Sequence, residues 1–309
     1  MNIAILLFIS FAFGVVGNLF SKWKSNQLKT DTLLRYALYI TVNGIIGAVF
    51  FWISGGFSLS SDFNTLLFGA ICALGVVVML VCNIHIYRYA SVAGVHVLLS
   101  AGTLVGSALY GAFLFDEVID WRRLLRIALM LVAAYCIFLD QGGRVGRRRK
   151  TPKDTDPVRR KKTALLTLLL GIEIVASVGY SIAVRYYMLM TENASSHSLF
   201  CYTNVFLVVG AIPVFAVVAL RHRDEVRPSM DTLRPLMLFL ITGATIASNV
   251  ASLVNAELVL LMDAAVLSPV SSAITTLAAF TTSIAILREP CGRYSVAAAI
   301  LALITVLLL

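Results

Sequence analysis

The chain has 309 residues, 59% of them apolar and only 13% charged, with a mean hydropathy of +0.89. A soluble globular domain is roughly a quarter charged residues, so a soluble fold is excluded and a chain embedded in a bilayer is implied. The net charge of +9 would suit a nucleic-acid binder, but nearly all of the excess sits in one linker.

Ten apolar segments follow in chain order: 3–20, 33–53, 64–87, 91–115, 121–139, 163–187, 198–220, 234–256, 263–287 and 291–309. At about 1.5 Å per residue, segments of this length cross ~30 Å of hydrocarbon as helix. A membrane barrel would show shorter segments with every second residue polar. Runs such as "ALGVVVMLVC" are apolar on all sides, so the expected class is an all-α integral membrane protein with ten transmembrane helices. The first span has no basic residue before it and no small-residue cleavage site after it, and is read as a retained helix.

The loops set the topology. Lys22, Lys24, Lys29 and Arg35 flank the first loop, and Arg221, Arg223, Arg227 and Arg234 the seventh. The second loop, "SGGFSLSSDFN", and the sixth, "TENASSHS", contain no Lys or Arg. Between them, "RVGRRRKTPKDTDPVRRKK" at 144–162 holds ten Lys or Arg against two Asp, a net of +8. Basic loops stay in the cytoplasm, which puts the linker inside, both termini outside and the protein in a plasma (inner) membrane as a multi-pass chain. Arg122, Arg123 and Arg126 in the fourth loop run against this orientation. The "NAS" at Asn193 is a glycosylation sequon on the outer side. No nucleic-acid partner is expected.

An internal repeat is visible in the third to fifth and eighth to tenth spans. "NIHIYRYASVAGVHVLLSAG" from Asn83 aligns with "NAELVLLMDAAVLSPVSSAI" from Asn255, and each copy is followed by an apolar run and a Glu. Asn83 and Asn255 are 172 residues apart, as are Glu117 and Glu289. Gly17 and Gly179 align the first and sixth spans more weakly, at another offset. Five spans per copy is an odd number, so the second copy enters the membrane from the opposite side. The expected organisation is a first five-helix repeat at 1–140, the basic cytoplasmic linker at 141–162 and an inverted second repeat at 163–309.

"LFDEVIDWRRLLRIALMLVAAYCIF" and "ILREPCGRYSVAAAILALITVLLL", each a helix end, a Glu, a short turn and another apolar helix, resemble the closing helix pairs of EamA-like ten-helix members of the drug/metabolite transporter superfamily. "LSPVSSAI" around Pro269 is similar to the family as well, and Glu117 and Glu289 match its recurrent Glu, whereas Val97 stands where a first-half proline would be. The resemblance implies a secondary transporter, often an exporter of amino acids, metabolites or toxic compounds. It also implies a central cavity lined mainly by the first, third and fourth helices and their counterparts.

Within "LLLGIEIVASVGYSIAVRYY", Glu173 lies ten residues from Thr163, about 15 Å into the bilayer and near its midplane. A charged side chain there costs ~2.5–3.5 kcal/mol on insertion scales, which marks a functional candidate. Ser177, Tyr180 and Ser181 continue at helical spacing as one polar stripe expected to face inward. Glu173 is read as exchanging a proton as the cavity alternates, with an interhelical hydrogen bond and interfacial snorkelling as its rivals. Arg185, about 18 Å further along the helix, is expected at the outer interface as an anchor.

Asn18 and Asn249 could bond a substrate or pack between helices. Asn83, His85 and His96 would serve an inner gate, and Asn255 and Glu257 an outer one, or these residues cap helix ends. Glu117 and Glu289 are assigned to helix ends, where a carboxylate meets unpaired N–H groups. Ser271, Ser272 and Thr275 are expected to bond carbonyls of their own helix near Pro269.

The five cysteines have no metal-ligand spacing, and no HExxH, P-loop or GxSxG occurs. No cofactor or metal and no catalysis are expected. The expected partners are a small-molecule substrate, membrane lipid and a proton or other coupling ion. A lipid-linked substrate flippase, or an intramembrane enzyme, is the alternative.

Overall fold

A computed structural model describes residues 3–28, 32–89, 92–114, 120–121, 124–125, 127–133, 135–136, 157–192, 194–221, 233–262, 264–288 and 292–307. Among these residues the ordered structure is helical: α1 Ile3–Gln27, α2 Leu33–Ser54, α3 Phe63–Tyr89, α4 Val92–Leu114, α5 at 127–133, α6 Pro157–Met190, α7 Ser196–Arg221, α8 Pro235–Leu261, α9 Ala264–Thr281 and α10 Arg293–Leu307. Eight of them, α1–α4 and α6–α9, are long and apolar enough to cross a membrane. Glu117, Glu289, Asn193, Cys291 and most of the basic linker lie outside the described residues.

Local chemistry accounts for several ends. Thr32 caps α2, its hydroxyl accepting from the Arg35 N–H at 3.4 Å. α6 and α8 open on Pro157 and Pro235, where the missing N–H costs no helical bond. α6 therefore starts inside the stretch assigned to the linker, and residues 157–162 are helical. α9 contains Pro269 and ends in a π-helical turn at Thr282–Ile286. There the Thr282 hydroxyl bonds the carbonyls of Ala278, at 2.8 Å, and of Val15 in α1, at 3.2 Å.

Large apolar side chains such as Phe8, Leu74, Phe113, Val175 and Leu220 point outward, as a lipid-facing surface requires, while small residues fill the contacts between helices. One close approach is between α2 and α7. A Cβ on Gly47 would lie 2.1 Å from the Asn204 side chain, and one on Gly44 would lie 2.8 Å from the Asn204 carbonyl. Only glycine lets these two backbones meet.

The main packing partners are distant in sequence. α1 packs on α8, α3 on α6, α2 on α7 and α4 on α9. Lesser pairs follow the same pattern, α3 with α7 and α2 with α8, then α1 with α9 and α4 with α6. Exchanging each helix among α1–α4 for the one five places on leaves this set of pairs unchanged. α5 joins α4, α9 and α10 through Met130 and Ala133, both fully buried.

Candidate functional site

Two adjoining cavities, of about 320 and 470 Å³, run between the helices and share Asn83, His96, Tyr180, Ser248 and Ser252 among their walls. The smaller is walled mainly by α1, α2, α3, α7 and α8 and holds Asn18, Lys24, Tyr39, Asn43, Asn204 and Asn249. The larger lies among α3, α4, α6, α8 and α9 and holds Ser177, Ser181, Arg185, Asn255 and Ser271. Spaces of this size match small-molecule sites.

The polar stripe on α6 divides in the structure. Ser177, Tyr180 and Ser181 line the larger cavity, Ser181 donating to the Ser177 carbonyl at 2.9 Å. Glu173, only 3% exposed, lies behind that wall beside Cys82 and Tyr87 and is hydrogen-bonded to Asn83, which does face both cavities. Its Oε2 has no hydrogen-bond partner among the described residues. Glu173 thus reaches the cavities through one amide.

Arg185 departs from its assignment as an interfacial anchor. It is 5% exposed and part of the larger cavity's wall. The cavity extends along α6 to this depth, so a cation that hydropathy places at a helix end faces protein. Lys24 departs similarly. Counted as a flanking loop cation, it is 6% exposed, lines the smaller cavity and donates to the Tyr39 hydroxyl at 2.7 Å.

The residues assigned to gates are only partly brought together. Asn83 and His96 line both cavities, and His96 bonds the Tyr87 hydroxyl at 2.6 Å. Lys22 donates to the Tyr87 carbonyl at 2.8 Å, tying the end of α1 to α3. His85 is instead bonded to Tyr36 and lines neither cavity. Asn255 lines the larger cavity and accepts from Ser271 at 3.2 Å, while Glu257 is exposed and lines neither. Asn18 and Asn249 both face the smaller cavity. Near Pro269, Thr275 bonds its own helix's carbonyls at Ser271 and Ser272, but Ser271 turns to Asn255.

Asn43, Asn204, Ser248 and Ser252 are wall residues that sequence reasoning passed over. Asn43 and Asn204 lie well inside apolar spans, so the cost that singled out Glu173 applies to their amides in weaker form. Among the described residues, no group of three or more His, Cys, Asp or Glu is placed to hold a metal ion.

No family model matches the chain, and no curated protein matches it. Among the solved structures similar to this chain is a crystal structure that covers 99% of this chain and 95% of its own, with a TM-score of 0.61 and 15% sequence identity. At that identity the likeness shows a shared helical fold.

Proposed function

We propose that the protein is a secondary active transporter of a small polar molecule, EamA-like in plan, with ten helices forming two inverted five-helix repeats that alternate access to a central site. The observation that carries this reading is the pair of cavities, with polar side chains set in largely apolar walls, between helices whose set of packing pairs is unchanged when each is exchanged for its counterpart. Hydrogen bonds support the duplication. Thr103 bonds the carbonyls of Leu99 and Ser100, and Thr275, 172 residues on, bonds those of Ser271 and Ser272. Such a pair of repeats has two equivalent ways to pack, one open to each side of the membrane.

Glu173 is the proposed coupling group. A carboxyl buried behind Asn83 can take up or lose a proton, and Asn83 passes the change in charge to the cavity wall. The polar contacts of the substrate come from Asn18, Asn249, Ser177 and Tyr180. Export is the favoured direction, from the family resemblance.

Purified protein in liposomes should move a solute across the bilayer without changing it chemically. Scrambling of labelled lipid in place of solute movement would favour a flippase, and chemical conversion of the solute an enzyme.

A further inference from the structure

Three asparagines reach the smaller cavity from three helices: Asn18 of α1, Asn43 of α2 and Asn249 of α8. Each is at least nine-tenths buried. The other two amides on this wall are engaged, since Asn83 holds Glu173 and Asn204 donates to the Phe200 carbonyl of its own helix at 2.8 Å. The Nδ2 of Asn249 has no hydrogen-bond partner among the described residues. No described residue is hydrogen-bonded to the side chain of Asn18 or Asn43. A polar group buried without a partner is destabilising, and one that lines a cavity recovers the loss when a ligand supplies the partner.

The chemistry of the missing partner follows from the amide itself, which donates through nitrogen and accepts through oxygen. A carboxylate or phosphate would bring acceptors alone and leave the asparagine oxygens without donors. An ammonium would bring donors alone. It would also meet Lys24, whose Nζ is bonded to the Tyr39 hydroxyl at 2.7 Å on the same wall, where no described Asp or Glu stands to receive a cation. A carbonyl next to an N–H answers both needs. In an open-chain secondary amide the trans bond points the two groups apart, whereas a ring holds them cis, on one edge that can pair with an asparagine amide through two parallel bonds. Between the amides the wall is apolar, with Phe13, Phe200 and Ala247 among its residues, which suits the faces of a compact ring.

We propose that the smaller cavity is a binding site for an uncharged cyclic amide, whose carbonyl and adjoining N–H pair with Asn18, Asn43 and Asn249. This deepens the transport reading and rests on it.

The test uses a thiol at Ser248, beside Asn249 and on the walls of both cavities. Full-length Ser248→Cys in nanodiscs is labelled with neutral methyl methanethiosulfonate, and modification at 248 is followed by peptide mass spectrometry with wild type as background. Valerolactam, a cyclic amide, should slow the labelling at concentrations about tenfold below those needed with cyclohexanone, which has the same ring size and carbonyl but no N–H. Asn249→Leu in the same background should raise the valerolactam concentration needed by about tenfold. The solute series needs no second substitution, so it decides the matter should Asn249→Leu misfold.

Cyclohexanol, cyclohexanecarboxylate and cyclohexylammonium complete the series as hydroxyl, anion and cation on one ring. Protection by cyclohexanone equal to that by valerolactam, or stronger protection by any of these three, would overturn the amide assignment and leave transport standing. Labelling that none of the probes slows would overturn it too. Exclusion of the neutral reagent from a folded protein would remove the solvent-accessible cavity, and the transport reading with it.

Discussion

Ser100 donates to the carbonyl of Ser272 at 3.4 Å, and the two residues are 172 positions apart, the interval that separates Asn83 from Asn255. In the proposed pair of repeats each stands where the other would stand in the other half, so α4 and α9 would meet at a point that an exchange of halves leaves in place. Thr276 adds a bond to the Ser100 hydroxyl at 3.3 Å. Ser100→Ala removes both bonds and should lower stability by about 0.6–1.7 kcal/mol. Ser272→Ala should cost little, since its backbone carbonyl is what accepts. Thermal unfolding in one detergent compares the two, and equal losses would contradict this account of the crossing.

Gly47→Ala should be the more damaging change at α2 and α7, because the new methyl meets the Asn204 side chain at 2.1 Å. A loss of about 1–3 kcal/mol is expected from overpacking. Gly210→Ala, on α7 with nothing within 4 Å of its would-be methyl, is the control and should be near neutral. Asn204→Ala in the Gly47→Ala background should recover part of the melting temperature.

Glu173→Gln keeps the bond to Asn83 possible and removes the titrating proton. The variant should fold, exchange substrate between equal concentrations and lose accumulation driven by a pH gradient. Measured in proteoliposomes, undiminished gradient-driven accumulation would leave Glu173 as a structural hydrogen-bonding group.

Much of this architecture can be read from the sequence because hydropathy reports it directly. The second span, 33–53, emerges as Leu33–Ser54, and the eighth, 234–256, as Pro235–Leu261. The π turn at Thr282–Ile286 was not readable, since apolarity does not distinguish i→i+5 from i→i+4 bonding. Tyr180 and Asn249 stood out as polar groups in apolar runs. Lys24 reads as a loop cation and Arg185 as an interfacial anchor, because a cation near a span's end looks the same whether it faces headgroups or a cavity reaching that depth. Packing partners decide that, and they come from helices 15 residues or more away.

The basic linker should be cytoplasmic. A cysteine replacing Thr151 should resist an impermeant thiol reagent in intact cells and react after permeabilisation. Labelling in intact cells would overturn the topology and swap the inner and outer gates.

Glu117 and Glu289 should serve helix ends more than transport. Glu→Gln at either position should lower stability by about 0.3–2 kcal/mol while the surviving protein still transports. Full thermal stability with transport abolished would make them gate residues.

Asn83 and Asn255 are the same side chain in equivalent places, yet Asn83 holds a carboxyl, that of Glu173, and Asn255 a neutral hydroxyl, that of Ser271. In the proposed transporter, which would trade conformations between its halves, identical halves would make the two end states equal in free energy. Unequal partners lift that degeneracy. On that proposal the protein would rest with one side favoured, and the size of the bias would follow the protonation of a single residue, since a population shifts only by a difference in interaction between the two states. Asn83→Ala and Asn255→Ala should accordingly push the resting population in opposite directions, with only the first response depending on pH.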